Sequence, residues 1–286
     1  SWVTHQNLQN NELNLKHDYI WDLDEIPFLD YDMLDIEGYK LNPTSSRYSV
    51  TDKYEVCNED EELFMEETLG KMLSKADIEG HLMPIMTSRG CPFKCTFCAS
   101  HAAHGRDMRY NSVERVKQDL VLMKSKYEIT GVVVQDDHFM AGRRRPYEVV
   151  DTIGKLSLEM FFQNALAMYA LDVEFLQLLK DSGVHELVLP VESGSSRVLK
   201  EEMRKPLKLD IIPRVVTNCR EVGIYTDCNI IIGMPGETKQ DILDSREFLK
   251  TIYADWFRIF VATPIPGSEM HETVLKNGGY REAPIK

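Results

Sequence analysis

Thr87-Ser88-Arg89-Gly90-Cys91-Pro92-Phe93-Lys94-Cys95-Thr96-Phe97-Cys98 gathers three of the six cysteines into eight residues, directly after a short apolar run at 82–87. Thiolates are soft ligands suited to zinc or to iron-sulfur clusters, and a tight loop lets three of them converge on one face of a cluster. Three are not four. A structural zinc would need a fourth Cys or His, and His101 and His104 stand nearby, so zinc remains open, as does plain packing of three small apolar side chains. Cys57, Cys219 and Cys228 are scattered. That is not the layout of a disulfide framework, and a reducing cytoplasm is the expected compartment.

Outward from this loop, short apolar runs alternate with amphipathic stretches, the pattern of repeated strand-helix units on a parallel sheet. Strands are predicted at 82–87, 130–136, 160–166, 185–191, 225–232 and 256–262. Helices are predicted at 112–127, 144–157, 171–182, 195–221 (broken near Pro206 and restarted near Leu209) and 238–253. Ser112 reads as a helix start, and Gly183 and Gly223 as helix ends. The expected fold class is α/β, a partial (β/α)6 barrel of the TIM type, with an N-terminal extension. In such barrels the reactive groups gather at the carboxyl ends of the strands. The polar clusters fall there: 88–98 after the first strand, 136–138 after the second, 192–195 after the fourth, 233–237 after the fifth and 263–268 after the sixth.

The 286 residues suffice for one large domain or for a core with an extension, and 43% of them are apolar. Residues 1–80 lack strong periodicity and read as an extension or linker packing on the barrel of 81–286, with one helix near 61–74 and a solvated acidic run at 58–62. The start, Ser1-Trp2-Val3, has no initiator Met, basic n-region or apolar h-region, so a fragment of a longer chain is expected. No apolar run is long enough to span a bilayer. A formal net charge of -13 argues against nucleic acid as the main partner, because phosphate binding rests on Lys and Arg.

The cysteine spacing, with Phe97 immediately before the last thiol, resembles the signature of the radical S-adenosylmethionine (radical SAM) superfamily. The resemblance covers roughly residues 80–275. It implies a 4Fe-4S cluster held by Cys91, Cys95 and Cys98, with one iron left for the amino and carboxylate groups of S-adenosylmethionine. One electron then cleaves the sulfonium to methionine and a 5'-deoxyadenosyl radical, which removes a hydrogen atom from substrate. An electron donor such as flavodoxin or ferredoxin is implied as a partner.

Further cofactor contacts come from the same resemblance. Asp136 and Asp137 stand where many members carry a Gly-Gly-Glu segment for the methionine amino group. Here the sequence departs from that pattern, and a reading in which both acids cap the next helix is equally open. Glu192 and Ser193 resemble the segment contacting the ribose and methionine parts. A carboxylate can accept two bonds from neighbouring hydroxyls, and a helix cap is the plainer reading. Asn229, Ile231 and Gly233 share one strand face, which in the family meets adenine, and Thr263 lies in the closing segment beside it. Arg143 to Arg145 read as a solvated helix entrance, and His138 as a candidate for substrate contact.

The run Val191 to Met203, with Arg204-Lys205-Pro206-Leu207 and the paired acids, is similar to cobalamin-dependent radical SAM methyltransferases. These carry cobalamin on a domain that precedes the barrel and is not in this chain. The Asp-x-His-x-x-Gly signature of base-off cobalamin is also absent. Three readings follow: methyl transfer or a related rearrangement on a small molecule with cobalamin; radical oxidation, cyclisation or methylthiolation without it; or a noncatalytic zinc or electron-transfer module.

Overall fold

The computed structural model describes residues 19–34, 36 and 81–278. The helix expected at 61–74, the acidic run at 58–62 and Cys57 lie outside them. Among the described residues, six parallel strands form two sheets of three. One holds β1 (His81–Ile85), β4 (Ile129–Val134) and β5 (Glu159–Phe162), side by side in that order. The other holds β6 (Glu186–Glu192), β7 (Tyr225–Ile232) and β8 (Trp256–Val261), likewise in order. Because β5 also lies against β6, the six follow one another in chain order around an open barrel. A two-residue antiparallel ribbon, β2 (Ser88–Arg89) with β3 (Arg109–Tyr110), brackets the cysteine loop. Between its strands lies the short α1 (Ser100–His104).

Four of the helices begin where the sequence supplies side-chain caps. Ser112 caps α2 (Val113–Tyr127) by accepting from the Arg115 amide, and Asp172 caps α4 (Val173–Asp181) through Phe175. Thr238 and Asp241 form a reciprocal capping box on α6 (Lys239–Leu249). Helix α3 (Arg145–Lys155) carries Pro146 in its first turn. Helix α5 (Ile211–Glu221) buries Ile212, Val215, Val216 and Cys219 on one stripe. That stripe meets Cys228 and Ile230 of β7 in the main core, which lies between strands and helices. Asp227, Asn229 and Ile231 alternate onto the opposite face of β7.

The stretch expected as a broken helix over 195–221 resolves differently. Val198–Glu202 makes one π-helical turn, Arg204 takes a positive φ of 47°, and helix resumes only at Ile211. Pro206 disfavours helix in the residue before it, so the break is longer than the apolar pattern suggests. After β8, α7 (Glu269–Lys276) begins at the capping residue Ser268. Residues 19–34 run along β3 and α2. There Leu23 is buried, the Leu23 carbonyl accepts from Asn111 at 3.1 Å, Phe28 stacks on Tyr127 and Tyr31 meets the same ring edge-on. Among the described residues no helix is long and apolar enough to cross a membrane.

Candidate active site

The cysteine loop is anchored from several sides. Gly90 has a φ of +94°, and a Cβ there would lie 2.3 Å from the Asp107 carbonyl oxygen, so only glycine fits. The Cys91 amide donates to Gly105 at 3.3 Å. Thr96 donates twice to the segment after β6, from its amide to Met203 (3.0 Å) and from its hydroxyl to Glu202 (2.6 Å). Arg106 holds the Phe93 carbonyl. The three thiols are free and half-buried. Burial pushes the Cys91 thiol up and Cys95 up to about 11.

The donor set fits a cluster better than a single ion. Zinc needs donors converging within about 2.3 Å of one point, and no such group of His, Cys, Asp or Glu occurs among the described residues. In a cluster each of the three thiolates would bind its own iron, so convergence on one point is not required.

Both acids after β4 reach back to this loop. Asp136, almost fully buried, accepts from the Thr87 amide (2.6 Å), the Thr87 hydroxyl (2.7 Å) and the Ser88 hydroxyl (2.6 Å). Burial still holds its carboxyl above the usual range. Asp137 accepts from the Gly90 amide at 3.3 Å and lies 2.7 Å from His104 Nδ1 through the same oxygen. Neither acid caps α3, whose flanking residue is Arg144. Of the three arginines, Arg143 and Arg144 are exposed, whereas Arg145 turns inward and donates to the Thr87 carbonyl at 2.5 Å, braced against the Tyr110 ring.

After β6 the chain is strained. The pairing of β6 with β7 slips between Leu189 and Glu192, and Glu192 adopts a φ of 62°, a conformation that non-glycine residues hold only under constraint. Its carboxylate accepts from Lys205 Nζ at 2.9 Å, with the two side chains only 10% and 15% exposed. The same ammonium lies 6.0 Å from the centre of the Phe97 ring, and its charge acts on the Cys95 thiol. Lys205, Phe97, Glu192 and Cys95 thus meet from three separate segments. Ser193 is buried. Its hydroxyl lies 3.1 Å from that of Ser245 and accepts from the Ser195 amide.

Ile231 packs with Phe97 on a small apolar cluster formed by Val198, Leu199, Met203, Met234 and Met270. Asn229 Oδ1 is buried and unpartnered within the protein. Gly233 has a φ of +85° and donates to Glu237, and Thr263 is exposed. On the other side of the loop, His138 Nε2 lies 3.2 Å from the Tyr169 hydroxyl, and the Phe93 ring packs on both rings, with centroids 4.9 and 6.1 Å away. Burial lowers the pKa of His138. Tyr169 was not expected at this site, and Lys205 was read only as part of the stretch 204–207 that carries the resemblance; His104, weighed as a fourth ligand for zinc, pairs with Asp137 instead.

Residues 85–249, more than half of the chain, match the family model of the Radical SAM superfamily. Cytidylyl-2-hydroxyethylphosphonate methyltransferase of Streptomyces wedmorensis is 29% identical over 200 residues, covering 68% of this chain and 38% of that one. tRNA-2-methylthio-N(6)-dimethylallyladenosine synthase of Desulfotalea psychrophila is 29% identical over 232 residues, covering 74% and 50%. The fold is that of the radical S-adenosylmethionine methyltransferase TsrM from Kitasatospora setae, solved with tryptophan and a SAM analogue, at a TM-score of 0.61, 20% identity and coverage of 74% and 42%. This chain spans half or less of the length of these proteins. It belongs to the radical SAM superfamily of enzymes.

Proposed function

We propose that Cys91, Cys95 and Cys98 hold a 4Fe-4S cluster and that the chain is the catalytic barrel of a radical SAM methyltransferase acting on a small molecule, with cobalamin supplied from outside these residues. When bound, the cluster delivers one electron that cleaves S-adenosylmethionine to methionine and a deoxyadenosyl radical able to abstract hydrogen. The chain's own residues bind and orient. Among the described residues Asp137 keeps one oxygen unengaged, for the methionine amino group, while Asp136 fixes the start of the loop. Glu192, held by Lys205 through one oxygen, presents the other to the ribose hydroxyls. Ser193 sets the backbone of that turn, and Asn229, Ile231, Gly233 and Thr263 line the adenine side.

The observation that carries this reading is the meeting of Cys95, Phe97, Glu192 and Lys205 from three segments beside a loop that offers three thiols, one fewer than the irons of a 4Fe-4S cluster. Anaerobic reconstitution with iron counting, followed by assay for deoxyadenosine after reduction, tests it. About four irons per chain and deoxyadenosine formation are expected; bound zinc, or a cluster inert toward S-adenosylmethionine, ends it. Similarity to the methylthio-adenosine synthase supports a second reading, methylthiolation. Transfer of labelled methyl from S-adenosylmethionine to carbon only with added cobalamin favours the first, and sulfur insertion the second.

A further inference from the structure

Three rings from separate segments meet on the Cys91 side of the loop, at the carboxyl ends of β4 and β5. His138 follows β4, Tyr169 sits in the 3-10 turn Met168–Ala170 after β5, and Phe93 belongs to the cysteine loop itself. His138 is 8% exposed, whereas Tyr169 is 46% exposed even though its hydroxyl lies 3.2 Å from His138 Nε2. Phe93 meets both rings edge-on. Tyr169 is near enough to the Cys91 thiol for the two groups to act on each other electrostatically.

The ring of Tyr169 is braced by Phe93 and its hydroxyl is tethered, so its open face is fixed before any ligand arrives. Binding on such a face loses little conformational entropy. Burial keeps His138 in its neutral form. Between a phenol, with a pKa of about 10, and a neutral imidazole, the phenol is the stronger hydrogen donor. The Tyr169 O–H is therefore assigned to His138 Nε2, which turns the lone pairs of the phenol oxygen outward to accept. The polar side chains joining the ends of β4 and β5 are amides. Gln135 donates to Gln163, and Asn164 donates to the carbonyls of Gln135 (2.9 Å) and Asp136 (3.2 Å).

We propose that Tyr169 is the platform for the substrate, and that the substrate lays on it an uncharged aromatic or heteroaromatic ring whose N–H or O–H the phenol oxygen accepts. His138 is a positioning residue that acts through Tyr169. The inference deepens the methyltransferase reading and rests on it, because Phe93 ties the platform to the loop that holds the proposed cluster.

The test is a ligand-observed NMR titration of oxidised, cluster-loaded protein with indole and, in parallel, 1-methylindole, which keeps the ring and lacks the N–H. Indole is expected to bind roughly fivefold more tightly, the size of one hydrogen bond. Tyr169→Phe should bring indole down to the level of 1-methylindole and leave 1-methylindole unchanged, whereas Tyr169→Ala should weaken both by roughly tenfold. His138→Phe keeps a ring against Phe93 and offers no acceptor, so it should erase the preference for indole; His138→Gln should retain part of it. Equal binding of the two ligands, an indole preference that survives Tyr169→Phe, or no binding of either ligand up to its solubility overturns the platform. Iron counting on the same samples keeps the two readings apart: protein that loads no cluster removes the methyltransferase reading, while cluster-loaded protein without an indole preference removes only the platform.

Discussion

At the scale of single residues, the site is defined by what burial does to charge. Cys91 and Cys95 are pushed up by desolvation, so near neutral pH both carry protons that binding of the proposed cluster would have to displace. The thiolate fraction of such a group rises about tenfold per pH unit below its pKa. Anaerobic cluster assembly is accordingly expected to accelerate steeply between about pH 7 and about pH 9, read as growth of visible absorbance. A rate independent of pH would show that thiol deprotonation does not limit assembly.

The Glu192–Lys205 pair follows the complementary rule. Breaking a largely buried pair leaves one charge uncompensated. Lys205→Gln should lower unfolding stability by about 2–3 kcal/mol, and the double variant with Glu192→Gln should recover part of that loss in denaturant titrations. Additive losses would mean that the two side chains do not act as a unit. The cysteines were readable because their spacing is local. Lys205 and Tyr169 were not, because what makes them neighbours of the loop is the closure of strands far apart in the chain.

At the scale of elements, six strands and five principal helices follow from apolar periodicity, and their ends shift by a few residues at most, outside the broken stretch after β6. What periodicity missed is α7, for which no helix was expected, and pieces that are short or irregular. The ribbon of β2 and β3 has two residues per strand, too few to alternate, and the π turn at Val198–Glu202 keeps a helical look in sequence. Helix α4 shows how firmly the regular part is specified. Phe175, Leu176 and Leu179 are completely buried, and Phe175 meets the Tyr147 ring edge-on at 4.8 Å. Phe175→Ala is expected to cost about 3–5 kcal/mol in equilibrium unfolding, whereas the exposed Val173→Ala should cost less than about 1 kcal/mol. Equal effects would mean that α4 is not packed on the core as described.

At the scale of the whole molecule, the barrel is closed on one flank and open on the other. The N-terminal segment 19–34 lies along α2, where Arg115 donates to the Asp24 carbonyl at 2.8 Å and Asp24 accepts from the Ser112 amide at 2.8 Å. The opposite flank ends in β8, whose Trp256, Ile259 and Val261 are 52%, 62% and 71% exposed on an edge without a further strand among the described residues. An apolar edge with unpaired backbone groups is a template for intermolecular pairing. Purified protein should therefore self-associate as concentration rises, visible as an increasing mass in light scattering behind size exclusion. Ile259→Lys/Val261→Lys places two charges on one face of that strand and should restore a monomeric mass. Thermal unfolding should stay nearly unchanged, because neither side chain contributes to the buried core. If the mass is already monomeric at all concentrations, or the lysines unfold the protein, the edge is covered or structurally required, and the open-barrel description of this flank has to be revised.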